Sequence, residues 1–235
     1  MRESDPGKAA QPLWLLIGNS RWHWARGAPG QLSCWSESPA SAERLAQLGV
    51  DRQLQGWAAV GPVPLQPWLR SERRLSLGRV PLAQLPPWLG IDRALVGWRA
   101  WRLSQAPVLV ADAGTALSFT RVDAGGAFAG GRIQAGRALQ LRALASGTAQ
   151  LPLLEPLLPT PGEPLAAWPR PTEAAIEQGV RQGLVASVAF AWQEVRASQP
   201  ECRLWITGGD GAWLAQALRQ SASPNLALDA LALLS

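Results

Sequence analysis

The chain has 235 residues, of which 47% are hydrophobic, and a formal net charge of +5. This length allows one large domain or two small ones, and the apolar fraction is sufficient for a buried core. No run approaches the roughly 18 consecutive apolar residues of a membrane helix, so we expect no membrane segment. The first residues are polar and lack an apolar signal core, which predicts a disordered tail on a cytoplasmic protein.

The positive charge is carried almost entirely by arginine, since Lys8 is the only lysine. A basic chain can bind nucleic acid, but these arginines are scattered singly and form no basic block interleaved with aromatic residues. The distribution favours an anionic small substrate over a nucleic-acid-binding module. Cys34 and Cys202 lie far apart without ligand-like neighbours, which predicts buried thiols and neither a disulfide nor a zinc site.

A strand hairpin opens the chain, and alternating helices and strands follow it. An apolar run at 13–17 predicts a buried strand, Gly18-Asn19-Ser20 predicts a tight turn, and residues 21–25 alternate as a returning strand. The other elements predicted in the first half are a strand at 32–35, a helix at 42–48 between Ser41 and Gly49, a strand at 57–60, a short helix at 63–69, a strand at 74–77, a loop at 78–90 and a helix at 91–103.

The start of the helix predicted at 91–103 combines Gly90, Asp92 and Arg93. An acid in the first turn is favoured by the helix dipole, so Asp92 has a purely structural explanation. An acid and an arginine at a helix start can equally face a ligand. Spacing alone leaves both interpretations open.

The most informative stretch runs from residue 108 to residue 136. Its first four residues predict a buried strand that delivers Asp112 into a turn with Gly114 and Thr115. A second strand and a glycine-rich hairpin follow. Such a turn presents backbone N–H groups, a hydroxyl and a carboxylate, which are the groups that bind a phosphate and its metal ion. Each piece alone is also explained as an ordinary turn or cap.

The second half continues the alternation. Its predicted elements are a helix at 138–145, a proline-rich loop at 152–171, a long helix from an N-capping Thr172 to about residue 198, a strand at 203–206, a helix at 212–220 and a closing strand at 226–234. Gly179 and Gly183 lie one turn apart in the long helix, where each glycine costs about 1 kcal/mol relative to alanine. This spacing predicts the close approach of a partner helix or a ligand.

Each half begins with a strand, a glycine-containing turn and a returning strand. We interpret the chain as an α/β protein with a tail at residues 1–12, an N-terminal domain at 13–106, a C-terminal domain at 107–235 and a cleft between the two domains. Ligands of parallel α/β sheets bind at strand ends, which fits a site in that cleft.

Segments in both halves resemble, in order, the motifs of the type III pantothenate kinase family. They are GIDR at 90–93, VADAGTALSFTRVD at 110–123, GGAFAGGRIQAG at 125–136, ALASGTAQLP at 143–152, TEAAIEQGVRQG at 172–183 and ITGGDG at 206–211. The resemblance extends from about Leu13 to the end of the chain and is weak between residues 26 and 85. One such motif is a weak signal, but the full series in the family's order is a strong one.

The resemblance implies two RNase H-like domains, as in the acetate and sugar kinase, Hsp70 and actin superfamily. It implies that the γ-phosphate of ATP is transferred to the hydroxyl of pantothenate, the first step of coenzyme A synthesis. It also implies Mg²⁺ with ATP, a monovalent cation such as K⁺ or NH₄⁺, and a homodimer. From composition, neither nucleic acid nor a membrane is expected as a partner.

The resemblance also implies roles for particular residues. Asp92 would be the general base on the pantothenate hydroxyl, Arg93 and the adjoining Gly90 and Ile91 would hold pantothenate, and Thr172 would reach it from the dimer partner. The residues implied in ATP and phosphate binding are Gly18, Asn19, Ser20, Asp112, Gly114, Thr115, Gly208 and Gly209, and Asp112 would also hold the metal. Phosphoryl transfer is mainly positioning and charge neutralisation, and a guanidinium binds a carboxylate bidentately, so these roles suit the chemistry.

The first phosphate motif departs from the family pattern of aspartate-x-glycine-asparagine-threonine. Leu16 stands in place of the aspartate, and Ser20 supplies the hydroxyl of the threonine. We expect Mg²⁺ to be held by Asp112, water and ATP oxygens, with altered metal dependence. The alternative is a catalytically degenerate ligand-binding regulator on the same fold, but retention of Asp92 and Asp112 favours the kinase. A smaller departure is Ala135, where the family usually has proline, and it bears on loop rigidity.

The only histidine, His23, lies between two tryptophans on a predicted strand. We interpret it as a packing residue. Neither catalysis by a serine and histidine pair nor a histidine metal site is therefore expected.

Overall fold

The computed structural model describes residues 11–155 and 166–235, which divide into two compact units. The first unit contains the described residues up to Arg99 together with Asn225–Ser235. The second unit contains the described part of Ala100–Pro224. The C-terminal segment therefore joins the first unit, although the sequence suggested that it belongs with the C-terminal domain.

Two segments discussed above fall wholly or partly beyond this description. The tail predicted at residues 1–12 lies outside the described residues except for its last two positions. The proline-rich loop predicted at 152–171 lies outside them from residue 156 to residue 165.

A four-stranded sheet lies in the first unit. Its strands are β1 (Leu13–Ile17), β2 (Trp22–Ala28), β3 (Gln31–Glu37) and β4 (Leu54–Ala59), in the spatial order β3-β2-β1-β4. β2 pairs antiparallel with β1 and β3, whereas β4 pairs parallel with β1. Every residue of β1 is buried, which explains why this strand is a continuous apolar run rather than an alternating one.

The second unit repeats this arrangement. Its strands are β5 (Val108–Ala113), β6 (Ala116–Val122), β7 (Phe128–Ala135) and β8 (Arg203–Thr207), in the order β7-β6-β5-β8. β5 pairs antiparallel with β6 and parallel with β8, as β1 does with β2 and β4. Two sheets, each an antiparallel meander extended by one parallel strand, confirm the predicted RNase H-like α/β fold.

The described residues contain the helices α1 (Ala42–Leu48), α2 (Val50–Gln53), α3 (Ile91–Ser104), α4 (Arg137–Gly147), α5 (Thr172–Ser198), α6 (Gly211–Ala217) and α7 (Leu226–Leu234). The predicted ends of α1 are confirmed, because Ser41 Oγ accepts a hydrogen bond from the Arg44 N–H and Gly49 takes a left-handed φ of 65°. None of the helices in the described part of the chain has the length and apolar character that crossing a membrane requires.

The long helix α5 packs against the second sheet through one face. Val180, Leu184, Val188, Ala191 and Val195 are buried at three- and four-residue intervals, as expected for an amphipathic helix on a sheet. This face leaves the opposite side of α5 open, and that side carries Gly179 and Gly183.

The C-terminal segment is a helix, so the closing strand predicted at 226–234 is wrong. The segment is a continuous run of leucine and alanine broken only by Asp229. An apolar run of this length is compatible with either structure, but leucine and alanine are strong helix formers and the β-branched residues of strands are absent from it. α7 packs against β1, β2 and β4.

Three smaller predictions are also wrong. Residues 63–69 form no helix, since Pro64 and Pro67 lack the N–H groups that a helix needs. Residues 74–77 form no strand beyond a single bridge from Arg74 to Trp57. The N-cap of α5 is Pro171, and Thr172 is the first helical residue.

Candidate active site

The turn after β1 is closed by its own backbone. The Gly18 N–H donates to the Arg21 carbonyl oxygen at 2.9 Å, and the side chains of Asn19 and Ser20 are exposed. A Cβ on Gly61 would lie 2.5 Å from the Gly18 carbonyl oxygen, so the chain that follows β4 packs directly on the turn. The turn is held in place at the end of the sheet while its outer side stays open to a ligand.

The start of α3 brings Asp92 over Gly90. Asp92 Oδ1 accepts a hydrogen bond from the Arg93 N–H at 2.8 Å and lies 2.6 Å from the position that a Cβ on Gly90 would take. The carboxylate therefore occupies space that is available only because residue 90 is glycine. Ile91, between them, is buried and anchors the first turn of the helix.

These two segments meet at one end of the first sheet. A Cβ on Gly90 would lie 3.6 Å from Val60 Cγ1, and the Val60 N–H donates to the Ile17 carbonyl at 2.9 Å. Because Val60 directly follows β4 and Ile17 ends β1, the turn at Gly18 and the acid at the start of α3 lie at the same edge. The first unit thus assembles Gly18–Ser20 and Gly90–Arg93 together.

Burial is the main influence on the Asp92 carboxyl. It raises the pKa of Asp92 above the ordinary value, against the opposing hydrogen bond from the Arg93 N–H and the positive charge of Arg93. Burial also lowers the pKa of the Arg93 guanidinium, which the charge of Asp92 opposes. The site therefore holds a carboxylate that accepts a proton more readily than an exposed aspartate.

Asp112 lies at the corresponding end of the second sheet. It pairs with Thr207 in the parallel register of β5 and β8, so the segment after β8 lies beside it. Gly208 has a φ of 90°, and a Cβ there would lie 2.5 Å from Asp112 Oδ1 and would also collide with the Ala113 carbonyl oxygen. The Asp210 N–H donates to that carbonyl at 2.9 Å, which fixes the turn against β5.

The turn between β5 and β6 is equally compact. The Gly114 N–H donates to the Ala116 carbonyl at 3.0 Å, and the Gly136 N–H donates to the Thr115 carbonyl at 3.0 Å. A Cβ on Gly136 would collide with the Gly114 carbonyl oxygen. Glycine at 136 is therefore required by the close approach of the α4 start to this turn, and the Thr115 side chain remains exposed.

The second unit brings most of its predicted site residues to this end of its sheet. Asp112, Gly114, Thr115 and Gly208 are held together by the contacts above, and a Cβ on Gly209 would have open space around it. Thr172 lies apart in the chain as the exposed first residue of α5.

Asp112 is the residue that could hold a divalent cation at this site. Within residues 11–155 and 166–235, no three histidine, cysteine, aspartate or glutamate side chains gather into a metal-binding group. A metal that accompanies a nucleotide needs no such group, because Mg²⁺ is commonly bound by one or two carboxylates together with substrate phosphates and water. The donor set at the end of β5 fits that kind of ion.

Two contacts of the turn at Gly18 were not predicted from the sequence. One is the contact of Gly61, whose position directly after the parallel strand β4 places it beside the turn. His23 was assigned to packing, but its ring lies against Gly18, where a Cβ would be 3.1 Å from His23 Nε2. The hairpin register, which sets His23 opposite Leu16, is the signal that could have indicated this.

Two sheets of this topology, each with a glycine turn after its first strand, and an acid at the end of β5 define a protein of the RNase H-like α/β fold class. The profile of one family within it, described as type III pantothenate kinase, matches residues 64–194. The chain belongs to the type III pantothenate kinase family.

Individual relatives agree with this assignment. A type III pantothenate kinase of Synechococcus elongatus is 36% identical over 222 residues, covering 88% of this chain and 87% of the relative. Another from a Synechocystis species is 37% identical over 231 residues, covering 95% of this chain and 87% of the relative. The fold alone is shared with a solved structure from Campylobacter jejuni, described as a Baf family transcriptional activator, which matches with a TM-score of 0.55 at 18% identity and covers 93% of this chain and 94% of that one.

Proposed function

We propose that this chain catalyses the ATP-dependent phosphorylation of pantothenate to 4'-phosphopantothenate, the first step of coenzyme A biosynthesis. The observation that carries the proposal is the Asp92 carboxylate. It is held over Gly90 beside Arg93, with a pKa raised by burial, in a chain of this family.

Asp92 acts as the general base. Its carboxylate accepts the proton of the pantothenate hydroxyl as the oxygen attacks the γ-phosphate. A raised pKa makes Asp92 a stronger base than an exposed aspartate. The guanidinium of Arg93 binds the pantothenate carboxylate, for which its paired N–H donors are suited. Gly90 and Ile91 shape and anchor this part of the site.

The glycine turns bind the nucleotide. Asn19 and Ser20 hold phosphates at the turn of Gly18 in the first unit, and Thr115 does so at the turn of Gly114 in the second. The N–H groups of the two glycines close their own turns. The segment Gly208-Gly209 lies by the nucleotide, where the open side of Gly209 leaves room for it.

Asp112 holds Mg²⁺, directly or through water, together with ATP oxygens. When bound, the ion neutralises charge on the phosphates during transfer. Leu16 supplies no carboxylate to this task, so the metal depends on Asp112 and the nucleotide. A monovalent cation, K⁺ or NH₄⁺, is a further part of the proposal that rests on family resemblance.

The chain acts as a homodimer in which Thr172 reaches the pantothenate of the partner subunit. The open side of α5 supports this arrangement. Thr172, Gly179, Gly183 and Phe190 recur at seven- and four-residue intervals on one face, and Phe190 is 64% exposed. A Cβ on either glycine would have open space within this chain, so a second helix can approach there.

Two other functions remain as alternatives. Leu16 motivates a catalytically degenerate regulator that binds ligand without turnover, but such a protein has no need of both Asp92 and Asp112. The net charge of +5 motivates a nucleic-acid-binding module, for which affinity should fall steeply with salt. A cytoplasmic location stays a prediction from the sequence.

The experiment that tests the proposal measures ADP release from ATP with pantothenate, Mg²⁺ and K⁺. We expect pantothenate-dependent turnover that Asp92→Asn lowers by about 100-fold or more, in the range ascribed to a general base. Asp51→Asn makes the same substitution at an exposed position of α2 and should retain turnover. Pantothenate binding without turnover in the unaltered chain would establish the degenerate regulator instead.

Dimer sharing of the site is tested by mixing inactive variants. If Thr172 acts across the interface, a heterodimer of Asp92→Asn and Thr172→Ala contains one intact site. Random exchange of subunits should then restore about a quarter of the unaltered activity, since half of the dimers are mixed. No recovery after verified exchange would place Thr172 in the same site as the Asp92 of its own chain.

A further inference from the structure

His23 occupies an unexpected position beside the turn after β1. It lies on β2 directly opposite Leu16, and residues opposite each other in an antiparallel pair project from the same face of a sheet. Its ring reaches past Leu16 to the turn, because Nε2 lies 3.1 Å and Cδ2 3.4 Å from the position of a Cβ on Gly18. An imidazole nitrogen therefore lies beside the start of this turn, together with the Arg21 carbonyl oxygen, which is 2.9 Å from the same Cβ position.

The imidazole is held from its other side by Ser36. His23 Nδ1 and Ser36 Oγ are 2.7 Å apart, and the two residues are opposite each other in the pairing of β2 with β3. When the Ser36 hydroxyl donates to Nδ1, the ring proton of a neutral histidine resides on Nε2. That nitrogen is then a donor at the edge of the turn.

The surroundings of the ring favour an anion. Burial lowers the pKa of His23, and the positive charge of Arg21 lowers it further, so the ring is neutral at neutral pH. Arg21 itself is tethered by its Nη2, which donates to the Ser36 carbonyl at 2.6 Å. The nearest acid along β3, Glu37, is paired with Arg44 at 3.2 Å. The turn thus combines donors and a guanidinium, with an apolar residue at position 16.

We propose that His23 is a ligand of the nucleotide phosphates, donating a hydrogen bond from Nε2–H to a phosphate oxygen bound at the Gly18–Ser20 turn. Ser36 is the positioning residue that fixes the ring and its tautomer. The inference rests on the proposed function, because it identifies a further contact in the same nucleotide site.

The first test uses the fact that the chain contains a single histidine. We would label histidine with ¹⁵N, remove any affinity tag, and record the ring nitrogens on their own and with pantothenate, ADP or a non-hydrolysable ATP analogue. The free protein should show the Nε2–H tautomer. Nucleotide should shift the Nε2 resonance with the same saturation curve as calorimetry gives, whereas pantothenate alone should not.

The outcomes of this titration separate the two proposals. Nucleotide binding seen by calorimetry with no change at the His23 nitrogens would overturn the inference and leave the kinase proposal intact. An Nδ1–H tautomer that persists with nucleotide would overturn it as well, because Nε2 would then be unable to donate. Absence of any nucleotide binding would refute both.

Conservative variants provide the second test. His23→Gln can keep a donor near the Nε2 position, whereas His23→Asn keeps a group near Nδ1 and loses that donor. We expect His23→Asn to raise the KM for ATP by about ten-fold or more, because a hydrogen bond to a charged group is lost. The KM for ATP of His23→Gln should be closer to that of the unaltered chain. The KM for pantothenate should change little in either variant.

Ser36 is tested in the same measurements. Ser36→Ala should mix the two tautomers in the ¹⁵N spectrum and raise the KM for ATP by less than His23→Asn does. Ser33→Ala, three residues earlier at an exposed position of β3, is the matched control. It should change neither the tautomer of His23 nor the KM for ATP. Equal KM values for ATP in His23→Asn, His23→Gln and the unaltered chain would contradict the inference.

Discussion

The carboxylate of Asp92 fills the space beside Gly90, with Oδ1 2.6 Å from where a Cβ on residue 90 would lie. The two residues at the start of α3 are thus coupled, because Asp92 keeps its position only while residue 90 lacks a side chain. The Arg93 N–H, at 2.8 Å, holds the same oxygen from the other side. This explains why glycine precedes the acid in the segment 90–93.

Gly90→Ala should therefore impair catalysis by displacing Asp92. The added methyl group forces the carboxylate to move, and we expect kcat to fall by about ten-fold or more, because misplaced catalytic groups lose much of their effect. Gly78→Ala is the control, since a Cβ at residue 78 would have open space. Steady-state kinetics of both variants checks this, and an unchanged kcat in Gly90→Ala would show that the position of Asp92 is not critical.

The pH dependence of stability should reveal the burial of Asp92. A carboxyl whose pKa is raised on folding binds protons more tightly in the folded state, so it lowers stability as pH rises from its unfolded pKa, near 4, through its folded pKa. Asp92→Asn removes this ionisation and still offers an oxygen to the Arg93 N–H. The Tm of Asp92→Asn minus the Tm of the unaltered chain should therefore increase with pH and become constant above the folded pKa of Asp92.

Thermal unfolding of both proteins across a pH series measures this difference. A Tm difference that is constant with pH would contradict the raised pKa. The same group should appear in kcat/KM of the unaltered chain as loss of activity on the acid side, below the pKa of Asp92, because the base must be ionised.

Gly208 and Gly209 should differ sharply in their tolerance of alanine. Residue 208 combines a φ of 90° with a Cβ position 2.5 Å from Asp112 Oδ1, whereas residue 209 has open space. Gly208→Ala should lower the free energy of unfolding by about 1 to 3 kcal/mol, the range for a strained backbone position. Gly209→Ala should leave Tm nearly unchanged, and equal losses in both would refute the packing described for this turn.

Gly183→Leu should weaken the proposed dimer without harming the chain's own fold. A Cβ there would meet no atom within 4 Å in the described part of this chain, and removal of a mid-helix glycine favours the helix by about 1 kcal/mol. The protein should shift toward monomer in light scattering while Tm at low concentration is maintained. Ala189→Leu, one residue before Phe190 and so about 100° around α5, is the control that should stay dimeric.

Persistence of the dimer in Gly183→Leu would exclude this face of α5 as the interface. A monomeric Gly183→Leu that retains full activity would argue against a contribution of Thr172 from the partner subunit.

Local sequence signals predicted most of the elements that carry the candidate site. Ser41 and Gly49 fixed the ends of α1, and the turns after β1 and β5 were predicted from short apolar runs followed by glycine. The contacts of Gly90 with Asp92 and of Gly208 with Asp112 were not predictable. The first contact depends on the backbone conformation at the start of α3, and the second depends on the parallel pairing of β5 with β8. A glycine in a sequence does not indicate which atom fills its empty side.

The C-terminal helix and the contacts of His23 were likewise not predicted from local sequence. Helix and strand periodicities coincide in a run such as 226–234, and the high helix propensity of leucine and alanine together with packing against β1 favours the helix. His23 looked like a packing residue because its neighbours in the chain are tryptophans. Its neighbours in the structure are Leu16, Ser36 and Gly18, which the register of β1, β2 and β3 brings together.

Mass spectrometry of the reaction products, with ADP quantified in the same samples, determines whether this chain phosphorylates pantothenate. Incubation with ATP, pantothenate, Mg²⁺ and K⁺ should yield phosphorylated pantothenate and ADP in equal amounts, and Asp92→Asn should yield neither above background. Release of ADP without phosphorylated pantothenate, or equal product from Asp92→Asn, would contradict the account.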